Sequence, residues 1–110
     1  MSDAFQEREK GFERKFQLDQ DQMFKVASRR DKLFGMWLAG KLGLSGPAAE
    51  QYAKDVLSSN FDAPGDDDML AKVRIDLDAK KVVIADADLL SKLHDMRDEA
   101  ARQIIGESKK

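Results

Sequence analysis

FQEREKGFERKFQLDQDQMFKVASRRDKLFGMWL, residues 5–38, decides the fold. Phe5, Phe12, Phe16, Met23, Val26, Ala27, Leu33, Phe34, Trp37 and Leu38 recur here at spacings of three, four and seven. At about 100° per residue they form one broad apolar stripe, the signature of an amphipathic helix. No proline interrupts it. Asp3 suits the N-cap, with Gln6 three residues on, and Gly43 suits a left-handed C-cap. One continuous helix of that extent would be about 60 Å long at ~1.5 Å per residue, against roughly 30 Å for a small domain. Its N-terminal part is therefore expected to project, fold back or be partly disordered.

The rest of the chain divides into further helical segments. Ser45-Gly46-Pro47 restarts a helix, with Pro47 fitted to the first helical position, and Tyr52, Ala53, Val56 and Leu57 line one face. Ser58-Ser59-Asn60 and Ala63-Pro64-Gly65 break the pattern. Asp66-Asp67-Asp68 then opens a helix where the dipole favours negative charge, and Met69, Leu70, Val73 and Leu77 form its buried face. Val82-Val83-Ile84 has strand propensity but no partner strand, so Lys80 to Ile84 reads as a connector. Asp86 or Asp88 is the expected cap of a last helix, whose stripe is Leu89, Leu90, Leu93, Met96, Ala100 and Ile104 and whose end is Gly106, with residues 107–110 frayed. The expected fold is all-α: a four-helix bundle with a long first helix. Residues 1–20 read as an N-terminal partner-binding arm and residues 21–110 as the bundle domain.

Composition narrows the function. The 110 residues are 42% hydrophobic and 36% charged, which suits one modest core under a charged surface. Nineteen Lys and Arg against 21 Asp and Glu leave a net charge of -2, so general attraction to nucleic acid is not expected. No cysteine is present, which excludes disulfides and thiolate chemistry. The charged first ten residues do not suit a signal peptide, and the mostly apolar run at 33–44 is too short to span a bilayer. A cytoplasmic protein without direct membrane insertion is expected. His94 is the single histidine, beside Leu93 and Asp95, and with no second histidine and no cysteine neither a metal site nor a cofactor is expected. Asp66-Asp67-Asp68 lacks the spacing of a calcium loop, and Gly35, Gly40 and Gly43 do not make a phosphate loop. Gly35 is better read as a close helix contact or a bend. Arg29-Arg30 with Lys25 and Lys32 reads as a solvated basic face. No nucleophile–base pair is recognisable, and the chain is not expected to be an enzyme.

Charge is unevenly spread. Residues 1–46 hold nine Lys and Arg against seven acids, and residues 47–110 hold ten against fourteen. In the first twenty residues Phe5, Phe12 and Phe16 share a face among alternating charges. Either they cap the bundle core, or they enter a partner's groove as the anchors of an amphipathic helix. The excess length of the stripe favours the second.

Phe5, Arg8-Glu9, Phe12-Glu13, Lys15-Phe16, Asp19, Phe24-Lys25, Arg29-Arg30, Lys32-Leu33, Gly35 and Trp37 also carry a resemblance. It continues through Leu42-Gly43-Leu44, Tyr52-Ala53, Gly65 to Asp68, Lys72-Val73 and Asp76-Leu77. Over about residues 5–79, and more weakly in the last helix, the chain resembles the zeta subunit of the alphaproteobacterial F-type ATP synthase, an inhibitor of ATP hydrolysis. The resemblance implies a four-helix bundle whose N-terminal arm enters the interface of the alpha and beta subunits beside the central gamma stalk. There it blocks rotation in the hydrolysis direction and permits synthesis. Carried over, the arm is Ser2 to about Gln20. Phe5, Phe12 and Phe16 are its anchors and Arg8, Arg14 and Lys15 its charged contacts. Localisation would then be cytoplasmic, peripheral to the membrane through the synthase. A generic helical adaptor and a small-ligand bundle are the competing readings.

Overall fold

In the computed structural model, which describes residues 17–60 and 65–108, four helices follow one another: α1 (Gln20–Lys41), α2 (Gly46–Ser59), α3 (Asp67–Ala79) and α4 (Asp86–Ser108). No strand occurs among the described residues. The fold is the all-α, four-helix arrangement expected from the periodicity.

The apolar stripe is not one helix. Gln17 sits at φ 52, in the left-handed region that interrupts a right-handed helix. Asp19 then caps α1 through a reciprocal pair: Gln22 N–H donates to Asp19 Oδ1 at 2.7 Å, and Asp19 N–H donates to Gln22 Oε1 at 3.2 Å. Leu18 is half-buried against Val26 of α1 and Ala100, Ala101 and Ile104 of α4. Leu18 thus packs between α1 and α4 ahead of the Asp19 cap. The expected cap at Asp3 lies outside the described residues.

At its other end α1 closes as expected. Gly43 has φ 79, Leu44 N–H reaches Ala39 C=O at 2.9 Å and Gly43 N–H reaches Gly40 C=O at 3.2 Å. This is the doubly bonded C-cap in which glycine takes the left-handed position. Pro47 lies in the first turn of α2, behind Ser45. Val82 and Ile84 turn inward onto the core while Val83 is 96% exposed, so the extended connector alternates without pairing. Two boundaries differ from expectation. Asp86 and Asp88 both lie inside the first turn of α4, and α4 runs through Gly106 to Ser108.

Helix α1 is the axis of the molecule, packing on α2 along one side and on α4 along another, with α3 against α2. Phe34, Leu38, Val56, Met69, Val73, Leu77, Leu89 and Leu93 bring all four helices into one core. Of the expected apolar faces, Leu90, 44% exposed, and Ala27, also exposed, are exceptions. Gly35 is a close-contact glycine. A Cβ placed there would lie 2.7 Å from the Ala53 Cα on α2, and backbone cannot move aside as a flexible side chain could. Overpacking of this kind costs about 1–3 kcal/mol. The better helix propensity of alanine returns about 1 kcal/mol. Gly35→Ala is thus expected to lower the melting temperature by several degrees, and an unchanged or raised melting curve would remove the close-contact role.

Candidate functional site

The six residues expected to contact a partner, Phe5, Arg8, Phe12, Arg14, Lys15 and Phe16, lie outside the described residues. What is described is the body that would present them, together with three polar assemblies that fix its shape.

The first assembly joins α1 to the segment between α2 and α3. Asp31 is only 4% exposed, on the same face of α1 as Phe34 and Leu38. The Arg30 guanidinium bonds Asp31 through Nε at 2.9 Å and Asp66 through Nη2 at 2.8 Å. Asn60 Nδ2 donates to Asp31 Oδ2 at 2.9 Å and to Asp66 Oδ1 at 3.0 Å. Burial pushes the Asp31 carboxyl above its ordinary pKa, with Arg30 and Asn60 pulling against it. Burial also opposes the charge on Arg30, but the attraction of Asp31 and Asp66 outweighs it and holds Arg30 above its ordinary value. Asp66 therefore serves in an ion pair and makes no side-chain bond as a cap.

Arg29 points elsewhere. It reaches Gln103 at 2.7 Å and Glu107 at 3.0 Å on α4. The pair Arg29-Arg30, expected as part of a solvated basic face, instead ties α1 to two different parts of the chain. The signal for Arg30 was present: Asp31 is a carboxylate at an apolar-face position of α1, and a buried charge requires a partner.

The second assembly joins α2 to α3. Tyr52 donates its hydroxyl to Asp76 Oδ2 at 2.8 Å, and Lys72 donates to the same oxygen at 2.9 Å with its Nζ 5.3 Å from the Tyr52 ring centre. Burial raises the Tyr52 pKa, and the bond to Asp76 and its charge raise it further. Tyr52 is the single tyrosine, so its titration by ultraviolet absorbance is unambiguous. The midpoint is expected clearly above the usual value of about 10. Because the folded pKa lies above the unfolded one, the folded state keeps the proton longer. The stabilisation is complete below about pH 10 and is lost as pH rises from there. Tyr52→Phe is expected to cost about 1 kcal/mol.

The third assembly surrounds Trp37. Its ring stacks with Phe34 at 6.2 Å between centres, and the Nζ atoms of Lys41 and Lys92 lie 5.5 and 5.3 Å from the indole centre. His94 is half-buried on α4. Among the described residues no group of three histidine, cysteine or carboxylate side chains could hold a metal, and no helix is long and apolar enough to cross a membrane.

No curated protein matches the chain. A protein whose structure was solved by solution NMR is similar in sequence and fold. It is 37% identical, with a TM-score of 0.68, over 76% of this chain and 95% of that one. The family model for ATPase inhibitor subunit zeta matches residues 1–103, so the chain belongs to the zeta family of ATPase inhibitor subunits.

Proposed function

We propose that this zeta-family chain inhibits ATP hydrolysis by inserting its N-terminal amphipathic segment into the alpha/beta interface of the synthase's catalytic head, beside the gamma stalk. One observation carries the reading. Phe5, Phe12 and Phe16 recur at helical spacing directly ahead of a body whose first helix is closed by its own cap at Asp19. A cleft in a partner would bury these phenylalanines, while Arg8, Arg14 and Lys15 meet its charged rim. The arm is read as residues 1–20; its last two residues, Asp19 and Gln20, also cap and open α1.

The direction of the block follows from the geometry of a wedge. A helix held in a catalytic interface resists the closure that hydrolysis requires, and rotation in the synthesis direction opens the interface and expels it. The chain itself carries no reaction.

The test is ATP hydrolysis by the isolated catalytic head, titrated with the full chain and with full-length Phe12→Asp/Phe16→Asp. Two buried phenylalanines supply about 3–6 kcal/mol, so the variant is expected to need at least a hundredfold more protein for half-inhibition. A full chain that does not inhibit sinks the function. A double variant that inhibits as well as the parent sinks the anchor assignment. Truncation at Asp21 is a poorer test, because it removes Leu18 and the Asp19 cap together with the arm.

A further inference from the structure

Phe24, Lys32 and Met36 lie on one ridge of α1 at multiples of four residues, with Leu57 of α2 beside them. Two adjoining clefts of about 540 and 400 Å³ run along this ridge. Phe24 is 64% exposed and Met36 38% exposed, whereas Val26, Phe34, Leu38 and Ala39 of the same helix are buried. The rims carry Lys25, Lys32 and Lys54, all exposed, and none of the three takes part in an ion pair among the described residues. Arg29 is already neutralised by Glu107, and Glu50 is the one acid beside the larger cleft. In a chain of net charge -2, the face thus combines exposed apolar side chains with positive charge that is unpaired among the described residues.

We infer that this face docks an acidic amphipathic helix of the catalytic head, giving the body a hold separate from the arm. The inference rests on the inhibitor reading above. From Phe24 to Met36 the ridge extends roughly 18 Å, the length of about three helical turns. A helix with one apolar side would cover Phe24, Met36 and Leu57, and carboxylates along its edges would neutralise the lysines. Charge of this kind also steers association and makes it salt-dependent.

The experiment measures binding of the full chain to the purified catalytic head at low and high salt, alongside inhibition. Lys25→Glu/Lys32→Glu/Lys54→Glu is expected to weaken binding at least tenfold at low salt and to flatten its salt dependence. Phe24→Ser/Met36→Ser is expected to weaken binding about tenfold at any salt. Both sets lie on the surface, so melting temperatures should hold. If the charge reversal unfolds the chain, the three lysines are changed to glutamine instead, with the same loss of salt dependence expected. A parent that binds and inhibits, with variants of equal affinity and salt dependence, overturns the docking face and leaves the function standing. A parent that neither binds nor inhibits removes both. Two other occupants are separately visible. Changes at Met36 and Leu57 in NMR spectra of isolated Phe12→Asp/Phe16→Asp would give the face to the chain's own arm. Self-association abolished by Phe24→Ser/Met36→Ser would give it to a second copy. Either result overturns the inference.

Discussion

Arg30→Met is expected to destabilise the protein by about 3–5 kcal/mol, the range for breaking a buried ion pair on one side. Methionine keeps the length and apolar contacts of the arginine stem, so the loss is chiefly electrostatic. Asp31, 4% exposed, would be left beside Asp66 with Asn60 as their shared donor. Against a total stability of about 5–15 kcal/mol, that is a large fraction. The pH dependence distinguishes this cause from lost packing. Burial already holds Asp31 above its ordinary pKa, and Arg30 is the strongest influence opposing it. Without Arg30 the folded pKa climbs further. A folded pKa above the unfolded one means that the folded state binds more protons, so stability rises as pH falls through the folded pKa. Arg30→Met should therefore recover part of its deficit relative to the parent as pH is lowered from about 7 toward about 5. Arg30→Met/Asp31→Asn should recover part of it at neutral pH. Urea unfolding at both pH values checks each point, and a loss below about 1 kcal/mol would show that the pair is dispensable.

Phe34→Ala is expected to cost about 3–5 kcal/mol. Phe34 is fully buried where all four helices meet, and it also supports the Trp37 ring. Removing it leaves a cavity that α1 cannot close, because Gly35 already brings α1 against the Ala53 backbone. Trp37 is the single tryptophan, so its fluorescence reports the change directly. A shifted emission spectrum of the folded variant and a melting temperature lower by ten degrees or more are expected. A small loss would mean that the core repacks around the gap.

Much of the fold was legible because its signals are local. The three-and-four spacing of apolar residues, Gly43 after α1, Pro47 at the start of α2 and the unpaired Val82-Val83-Ile84 stretch each act over a few residues. Asp19 and Gln22 also carry the spacing of a capping box. The apolar stripe runs across them, however, and periodicity alone cannot tell a continuous helix from two apolar faces in the same phase. Glycine at position 106 was equally ambiguous, since helix interiors tolerate glycine at a cost of about 1 kcal/mol.

The sequence by itself determined four helical segments, which faces of them are apolar, and the phenylalanine pattern of the first sixteen residues. Only the tertiary structure decided the partners of the charged residues. Arg30 meets Asp66 across 36 positions, Arg29 meets Glu107 across 78 and Tyr52 meets Asp76 across 24. One carboxylate in a sequence looks like any other. Which of them must be paired depends on where helix packing removes water, and packing also leaves Lys25, Lys32 and Lys54 around an uncovered apolar ridge.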